Sequence, residues 1–127
     1  MTFVYDFIFL IFALCSLPKF LVRLGQADHP LELLRERFGF FSSRLRHCFL
    51  GQTVLWLHAV SVGEVMTSCQ WIERFLSEFP GWTVALSVAT PTGRVVANAF
   101  KRERVVVFYA PLDLSFVVRR VLSRVQP

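Results

Sequence analysis

Three short stretches carry residue types able to bind or move charge. In "WLHAVSVGE" (56–64), Ser61 and Glu64 stand three residues apart. That is the spacing of a capping box, in which the serine side chain accepts from the third helical N–H and the glutamate reaches back. A cap of this kind adds about 1 kcal/mol and accounts for both residues. Gly63 lies outside that explanation, because glycine in a first turn costs helix propensity unless a backbone or a ligand approaches closely. Capping alone and capping joined to ligand binding both fit the spacing.

"ATPTG" (89–93) places Thr92 and Gly93 at the start of a helix, where free N–H groups and the helix dipole favour an anion or a sugar hydroxyl. A simpler reading makes Thr90 the N-cap with Pro91 behind it. No lysine follows the glycine, so the stretch is not a phosphate-cradling P-loop. Asp113, in "YAPLD" (109–113), is read as the N-cap of the last helix.

Glu36 lies four residues after Glu32 on one helical face, a like-charge pair that costs roughly 0.2 to 0.5 kcal/mol. Helix stability therefore does not explain the choice. Arg35 and Arg37 flank Glu36 but point about 100° to either side, so they are expected to hold it ionised through their field without pairing to it. An ionised carboxylate placed this way suits a general base toward a hydroxyl; a surface ion-pair residue is the plainer reading.

These residues need elements to position them. "LELLRERFG" (31–39) reads as a short helix behind Pro30, closed by Gly39. "TVLWLHAV" (53–60) is a continuous apolar run expected to be a strand buried on both faces. A helix from about Gly63 to Phe79 follows, with Val65, Cys69, Ile72, Leu76 and Phe79 at helical spacing, and Pro80 and Gly81 stop it. "WTVALSV" (82–88) and "RVVVFYA" (104–110) are two further strands, separated by a helix over 91–100 and followed by one that begins near Asp113. Alternating strands and helices give an α/β fold with a Rossmann-like parallel sheet and flanking helices. In such sheets ligands bind beyond the carboxyl ends of the strands, which is where "SVGE", "ATPTG" and "APLD" fall. Val107, Phe108 and Tyr109 are expected at an exposed sheet edge or an interdomain surface, a setting prone to aggregation.

Composition separates the amino terminus from the rest. The 127 residues are 54% hydrophobic and include 14 phenylalanines, with the excess concentrated at the start. "FIFLIFALCSL" (7–17) is uncharged but covers only about 16 Å as a helix, against a hydrocarbon core of about 30 Å. Extending it from Phe3 to Val22 would reach across only by taking in Asp6 and Lys19 and bending at Pro18. Insertion into one leaflet, with Lys19 and Arg23 at the headgroups, is the favoured reading over a full span, and docking on another part of the protein is the alternative. The stretch lacks a positively charged start and a small-residue cleavage site, so it is not read as a secretory signal.

The net charge of +5 is uneven, with an acidic middle (47–93) between basic segments at 19–46 and 94–127. That distribution suits an anionic membrane surface or a phosphate-bearing ligand. A small nucleic-acid binder would show the same charge, but the hydrophobic anchor argues against it, and such a complex would weaken steeply with salt. Cys15, Cys48 and Cys69 are odd in number and far apart, so reduced thiols are expected, no metal site is read, and His47–Cys48 is taken as loop.

Taken together, "ERFGF" (36–40), "HAVSVGE" (58–64), "TPTG" (90–93) and "YAPLD" (109–113), in this order behind a hydrophobic amino terminus, resemble the Kdo transferases. These enzymes add 3-deoxy-D-manno-octulosonic acid to the lipid A precursor in lipopolysaccharide synthesis. The resemblance implies the N-terminal half of a GT-B glycosyltransferase at the cytoplasmic face of the inner membrane, using CMP-Kdo as donor without metal or other cofactor. It makes Glu36 of the E-R-x-G motif the base that deprotonates the acceptor hydroxyl. Arg37, Ser61, Gly63, Glu64, Thr92 and Gly93 become substrate-binding candidates, and Asp113 stays structural. The expected division is a membrane-associated helix over 1–24 and an incomplete Rossmann-like acceptor-binding domain over 25–127.

Two features depart from the family pattern. "DHPLELLRER" (28–37) carries acidic and apolar residues where basic ones are usual, and neither an E-x-E-L-W-P segment nor a donor-binding domain lies within the 127 residues. Catalysis requires holding donor and acceptor about 3 Å apart, so transfer by this chain alone is not expected. The partners implied are the lipid A precursor, CMP-Kdo only with a donor domain, and the inner membrane, with no nucleic acid. The other reading is a non-catalytic membrane-associated lipid- or phosphate-binding protein, or a remnant of such an enzyme.

Overall fold

In the computed structural model, residues 2–25, 27, 29–100 and 102–127 are described. Their elements run α1 (Thr2–Gly25), α2 (Pro30–Arg37), α3 (Ser43–His47), β1 (Thr53–Ala59), α4 (Val62–Glu78), β2 (Trp82–Val88), α5 (Pro91–Ala99), β3 (Val105–Tyr109) and α6 (Ser115–Val125). The strands pair in parallel in the order β1-β2-β3, with α4 and α5 as the connections. This is the α/β architecture that the alternation of patterns requires.

Period-2 side-chain alternation divides the core into two layers. Val84, Leu86 and Val88 of β2 and Val105, Val107 and Tyr109 of β3 point into one layer with Leu33, Val65, Ile72 and Ala97. Ala85, Val106 and Phe108 point into the other, where Phe41, Phe49, Val121 and Val125 cover them. Phe108 is fully buried, with Phe41 at 5.1 Å edge-on and Phe49 and Trp56 at 6.3 and 6.0 Å. β2 is covered on both faces, as its unbroken apolar run demands. In β1 the expected burial on both faces is not found: Leu55, Trp56 and Leu57 are half-buried and His58 is exposed. Ser87 is wholly buried in β2 and is satisfied there, accepting from Trp56 Nε1 at 2.8 Å and donating to the Leu57 carbonyl at 3.2 Å.

α2 ends as the glycine pattern predicts. Gly39 has φ +74°, its N–H donates to Glu36 O at 2.9 Å, and Phe40 N–H donates to Arg35 O at 2.7 Å, the paired bonds of a Schellman close. A Cβ there would sit 3.1 Å from Val121 Cγ2, so the same glycine lets α2 approach α6.

Several expectations are corrected. Val107, Phe108 and Tyr109 are buried, because α2 covers the free edge of β3. Phe79 lies just past α4 and is 44% exposed, outside the helix's buried stripe, stacked on Phe75 at 4.9 Å. His47 closes a short helix instead of lying in a loop, and Cys48 caps it, its Sγ donating to Arg44 O at 3.3 Å. Asp113 does not cap α6. Leu114 is the N-cap residue and offers no side-chain bond, and the carboxylate at the helix start is Asp6 of α1, which accepts from Ser115 N at 3.0 Å and Ser115 Oγ at 2.8 Å.

α1 runs unbroken through Pro18, and its Val4–Val22 portion is long and apolar enough to cross a membrane, by length and composition. Gln26, Asp28 and the side chain of Arg23, the last expected at the headgroups, lie outside the described residues. The cysteines are unpaired: Cys15 and Cys48 are exposed, and burial pushes the Cys69 thiol above its ordinary pKa.

A cleft at the carboxyl ends of the strands

The parallel sheet brings the loops after β1, β2 and β3 to one end, where the start of α4 meets the start of α5. After β1, Ser61 Oγ accepts from Glu64 N at 3.2 Å, while Glu64 Oε2 accepts from Val60 N at 2.9 Å. The reciprocal cap therefore forms, with the glutamate reaching one residue further back than the simplest box. A Cβ on Gly63 would find its nearest neighbour, Ser61 Oγ, at 4.0 Å. No close protein contact requires glycine there, and the space beside it is open.

After β2, Thr90 Oγ1 accepts from Gly93 N at 3.1 Å and caps α5. Gly93 is buried, and an added Cβ would fall 2.9 Å from Thr90 Oγ1 and 3.5 Å from Val65 Cγ2. Its smallness is used in packing α5 on α4, and its N–H is already engaged. Thr92 remains exposed, its hydroxyl 3.3 Å from that of Thr90.

Glu36 comes from α2 yet belongs to this end of the sheet. Its Oε2 accepts from Tyr109 N at 2.6 Å, filling the hydrogen-bonding position that the free edge of β3 leaves open. Arg94, one residue after the T-P-T-G turn, donates to both Glu36 oxygens at 3.0 and 3.4 Å and to Glu32 Oε1 at 3.2 Å. The guanidinium also lies 5.0 Å from the centre of the Tyr109 ring. The cation that acts on Glu36 is therefore Arg94, by direct pairing, where Arg35 and Arg37 were expected to act through their field, and it answers both members of the like-charged Glu32–Glu36 pair. Glu36 is also 4% exposed and no surface ion pair. Burial raises its pKa above the ordinary 4.5, a rise that the Arg94 charge and the Tyr109 N–H offset without cancelling. Burial likewise raises the Tyr109 phenol.

Arg37 points the other way. Its Nη2 donates to Ala89 O at 2.5 Å, its guanidinium lies 5.7 Å from the Phe20 ring of α1, and its own carbonyl accepts from Leu112 N at 2.8 Å. Residues 36 and 37 thereby join the loops after β2 and β3. A recess of about 480 Å³ opens beside them, lined in part by His29, Glu32, Thr92, Arg94, Asn98 and Tyr109. Glu36 lines a different hollow, of about 880 Å³, which shares Glu32, Arg94 and Asn98 with the recess but runs along β3 toward the amino ends of the strands, past Thr83, Gln52 and Arg104. The recess, with the acid Glu32, the cation Arg94 and the hydroxyl and amide groups of Thr92, Tyr109 and Asn98, is suited to a polar, hydroxyl-bearing ligand. Among the described residues no three of His, Cys, Asp and Glu gather as a metal would require.

Of the residues singled out from sequence, Glu36 is joined to the start of α5 by Arg94, Thr92 lines the same recess as that arginine, and Gly93 is engaged by Thr90, whereas Ser61 and Glu64 bond to one another and their neighbours. Arg94 lies one residue beyond the T-P-T-G motif and Tyr109 was expected only at an exposed edge or interdomain surface, neither as part of the site. A signal existed for Arg94: it is a cation in the first turns of a helix, where the dipole disfavours positive charge and another partner is needed.

A family model described as 3-deoxy-D-manno-octulosonic-acid transferase (kdotransferase) matches residues 32–127. The chain is 33% identical to the 3-deoxy-D-manno-octulosonic acid transferase of Chlamydophila psittaci, over 99% of this chain and 29% of that protein. It is 29% identical to the protein of that name from Chlamydia pneumoniae, over 97% of this chain and 28% of the relative. With the protein of that name from Haemophilus influenzae the identity is 33%, over 74% of this chain and 21% of the relative. The chain thus spans less than a third of the length of these relatives. No solved structure matches it.

Proposed function

Because the chain belongs to the 3-deoxy-D-manno-octulosonic-acid (Kdo) transferase family, we propose that these residues form the acceptor-binding part of an enzyme that moves Kdo from CMP-Kdo to the lipid A precursor. The domain over 25–127 is one half of a GT-B transferase, and the helix over 1–24 holds it at the cytoplasmic face of the inner membrane. Glu36 takes the proton of the acceptor hydroxyl as that oxygen attacks the anomeric carbon of Kdo and CMP leaves.

The observation that carries this reading is the setting of Glu36. Its carboxylate is withdrawn from water, its pKa is raised by that burial, and Arg94 supplies the charge that keeps a buried carboxylate ionised. A base with its pKa moved toward neutrality accepts a proton more readily at working pH than one at the ordinary carboxylate value. Thr92 and the open space beside Gly63 face acceptor or donor groups, Arg37 holds the loop after β2, and Ser61, Glu64 and Gly93 shape the cleft through capping and packing. Transfer needs donor and acceptor held together, so these 127 residues by themselves do not catalyse it.

A second reading has its own support. Glu36 is fully engaged by Arg94 and Tyr109 N–H, which is also what a purely structural ion pair at a sheet edge would look like, as in a non-catalytic lipid-binding protein. One experiment separates the two. The chain is assayed in detergent for binding of the lipid A precursor, and for Kdo transfer when the separately made donor-binding part of a relative is added. The transferase reading expects transfer only in the mixture, lost more than 100-fold in Glu36→Gln with acceptor binding retained. Acceptor binding without transfer in any mixture, indifferent to Glu36→Gln, would establish the second reading.

A further inference from the structure

We propose that α1 is an in-plane bilayer helix fastened to the domain at both ends, so that its outer face sinks into one leaflet and the Glu36 cleft is held at the lipid surface. The inference rests on the membrane-associated reading above and adds the geometry of attachment.

The amino-terminal fastening is polar. Asp6, the one acid in the hydrophobic helix, accepts from the Ser115 N–H and hydroxyl at 3.0 and 2.8 Å and so caps α6 from another element. One residue earlier, the Tyr5 hydroxyl donates to the Asp113 carboxylate. The other fastening is apolar: Phe20 and Leu24 pack against the core, and Arg37 lies over the Phe20 ring. Asp6, Phe9, Ala13, Ser16, Phe20 and Leu24 are half-buried and recur every three or four residues, which places them on a single helical face.

The opposite face is bare. Phe7, Ile8, Ile11, Phe12, Leu14 and Leu21 are each 51–71% exposed, with no charged residue from Phe7 to Leu17 and exposed Lys19 at the end to meet lipid phosphate. A continuous apolar face edged by a phenol and an ammonium is the pattern of an interfacial helix.

Crossing conflicts with the fastenings. Asp6 and Leu24 are separated by about 27 Å along a helix axis, close to the thickness of the hydrocarbon. With both ends held by one domain, a span would carry Asp113, the start of α6 or Arg37 into lipid, where charges and unsatisfied backbone groups are expelled. Lying flat removes the conflict. It also sets the membrane beside the cleft from two directions, through Phe20 and Arg37 next to Glu36 and through Asp113 four residues after Tyr109.

The test is a depth scan of the whole chain on vesicles of phosphatidylethanolamine and phosphatidylglycerol. Cys15 and Cys48 are replaced by serine, buried Cys69 is left, and a nitroxide is placed in turn at each position from Phe7 to Leu17. Collision with oxygen and with a water-soluble nickel chelate reports depth. In-plane attachment gives a depth that oscillates with a period of about 3.6 residues, deepest at positions 7, 11 and 15 and shallowest at Phe9, Ala13 and Ser16. One smooth profile with its maximum mid-segment is a span and overturns the proposal, as does failure to bind vesicles while labels on two chains approach one another. Asp6→Ala with Ser115→Ala should damp the oscillation over the first two turns with vesicle binding kept within about twofold, and an unchanged profile would overturn the fastening. No sugar transfer is involved, so a failed transfer assay bears only on the catalytic reading and a failed depth scan only on this one.

Discussion

Arg94 holds Glu36 at 3.0 and 3.4 Å across 58 residues of chain, and it does so in a site where the arginine side chain is 14% exposed and the glutamate 6%. The ion pair ties α2 to α5, and through Tyr109 N–H it ties both to β3. Its energetic character follows from burial: two charges taken from water are tolerated only while each has the other.

Removing one partner should therefore cost more than removing both. Arg94→Met strands a buried carboxylate and is expected to destabilise the chain by about 3 kcal/mol. Glu36→Gln keeps an acceptor for Tyr109 N–H and should cost about 1 to 2 kcal/mol. The double variant should cost less than Arg94→Met alone, and so fall short of the sum by more than about 2 kcal/mol, read from urea unfolding midpoints in detergent. Strict additivity would mean that the contact has no energetic weight.

The raised pKa of Glu36 gives a pH dependence of definite sign. A carboxyl whose folded pKa lies above its unfolded value binds more protons when folded, so its contribution is fully present below the unfolded value of about 4.5 and declines as pH rises through the folded pKa. Stability measured from pH 4 upward should therefore fall over that window in the wild type more than in Glu36→Gln. A steeper fall in Glu36→Gln would mean that Arg94 overcomes burial and depresses the pKa.

The two loop glycines should respond oppositely to alanine. Gly93→Ala drives a methyl to 2.9 Å from Thr90 Oγ1 and should cost about 1 to 3 kcal/mol. Gly63→Ala meets nothing nearer than 4.0 Å and should raise the melting temperature, by about 0.5 to 1 kcal/mol of helix propensity. If acceptor binding weakens at least tenfold in Gly63→Ala while stability rises, the open space at Gly63 belongs to the ligand.

Ser61→Ala removes the acceptor for Glu64 N and should cost about 1 kcal/mol by thermal unfolding. At the start of α6 the effect should come from a distance: Asp6→Ala should destabilise by a similar amount, because the carboxylate serving Ser115 belongs to α1.

Local chemistry determined much of this protein in advance. Strand runs, helix periods, the Schellman glycine at Gly39 and the caps at Ser61 and Thr90 depend on residues within a few positions of one another, so spacing alone reveals them. The parallel sheet followed from their alternation, and the four family motifs from their order. What the sequence could not hold was every relation made across the fold. Arg94 as the partner of Glu36, Tyr109 N–H as the open edge that α2 covers, Asp6 in place of Asp113 at α6, and the narrow inner stripe of α1 each join segments dozens of residues apart. Tertiary structure decided these because burial is a property of the assembled layers. Only when β3 and α5 close over Glu36 does its charge lose water, require Arg94, and acquire a proton affinity that local sequence does not encode.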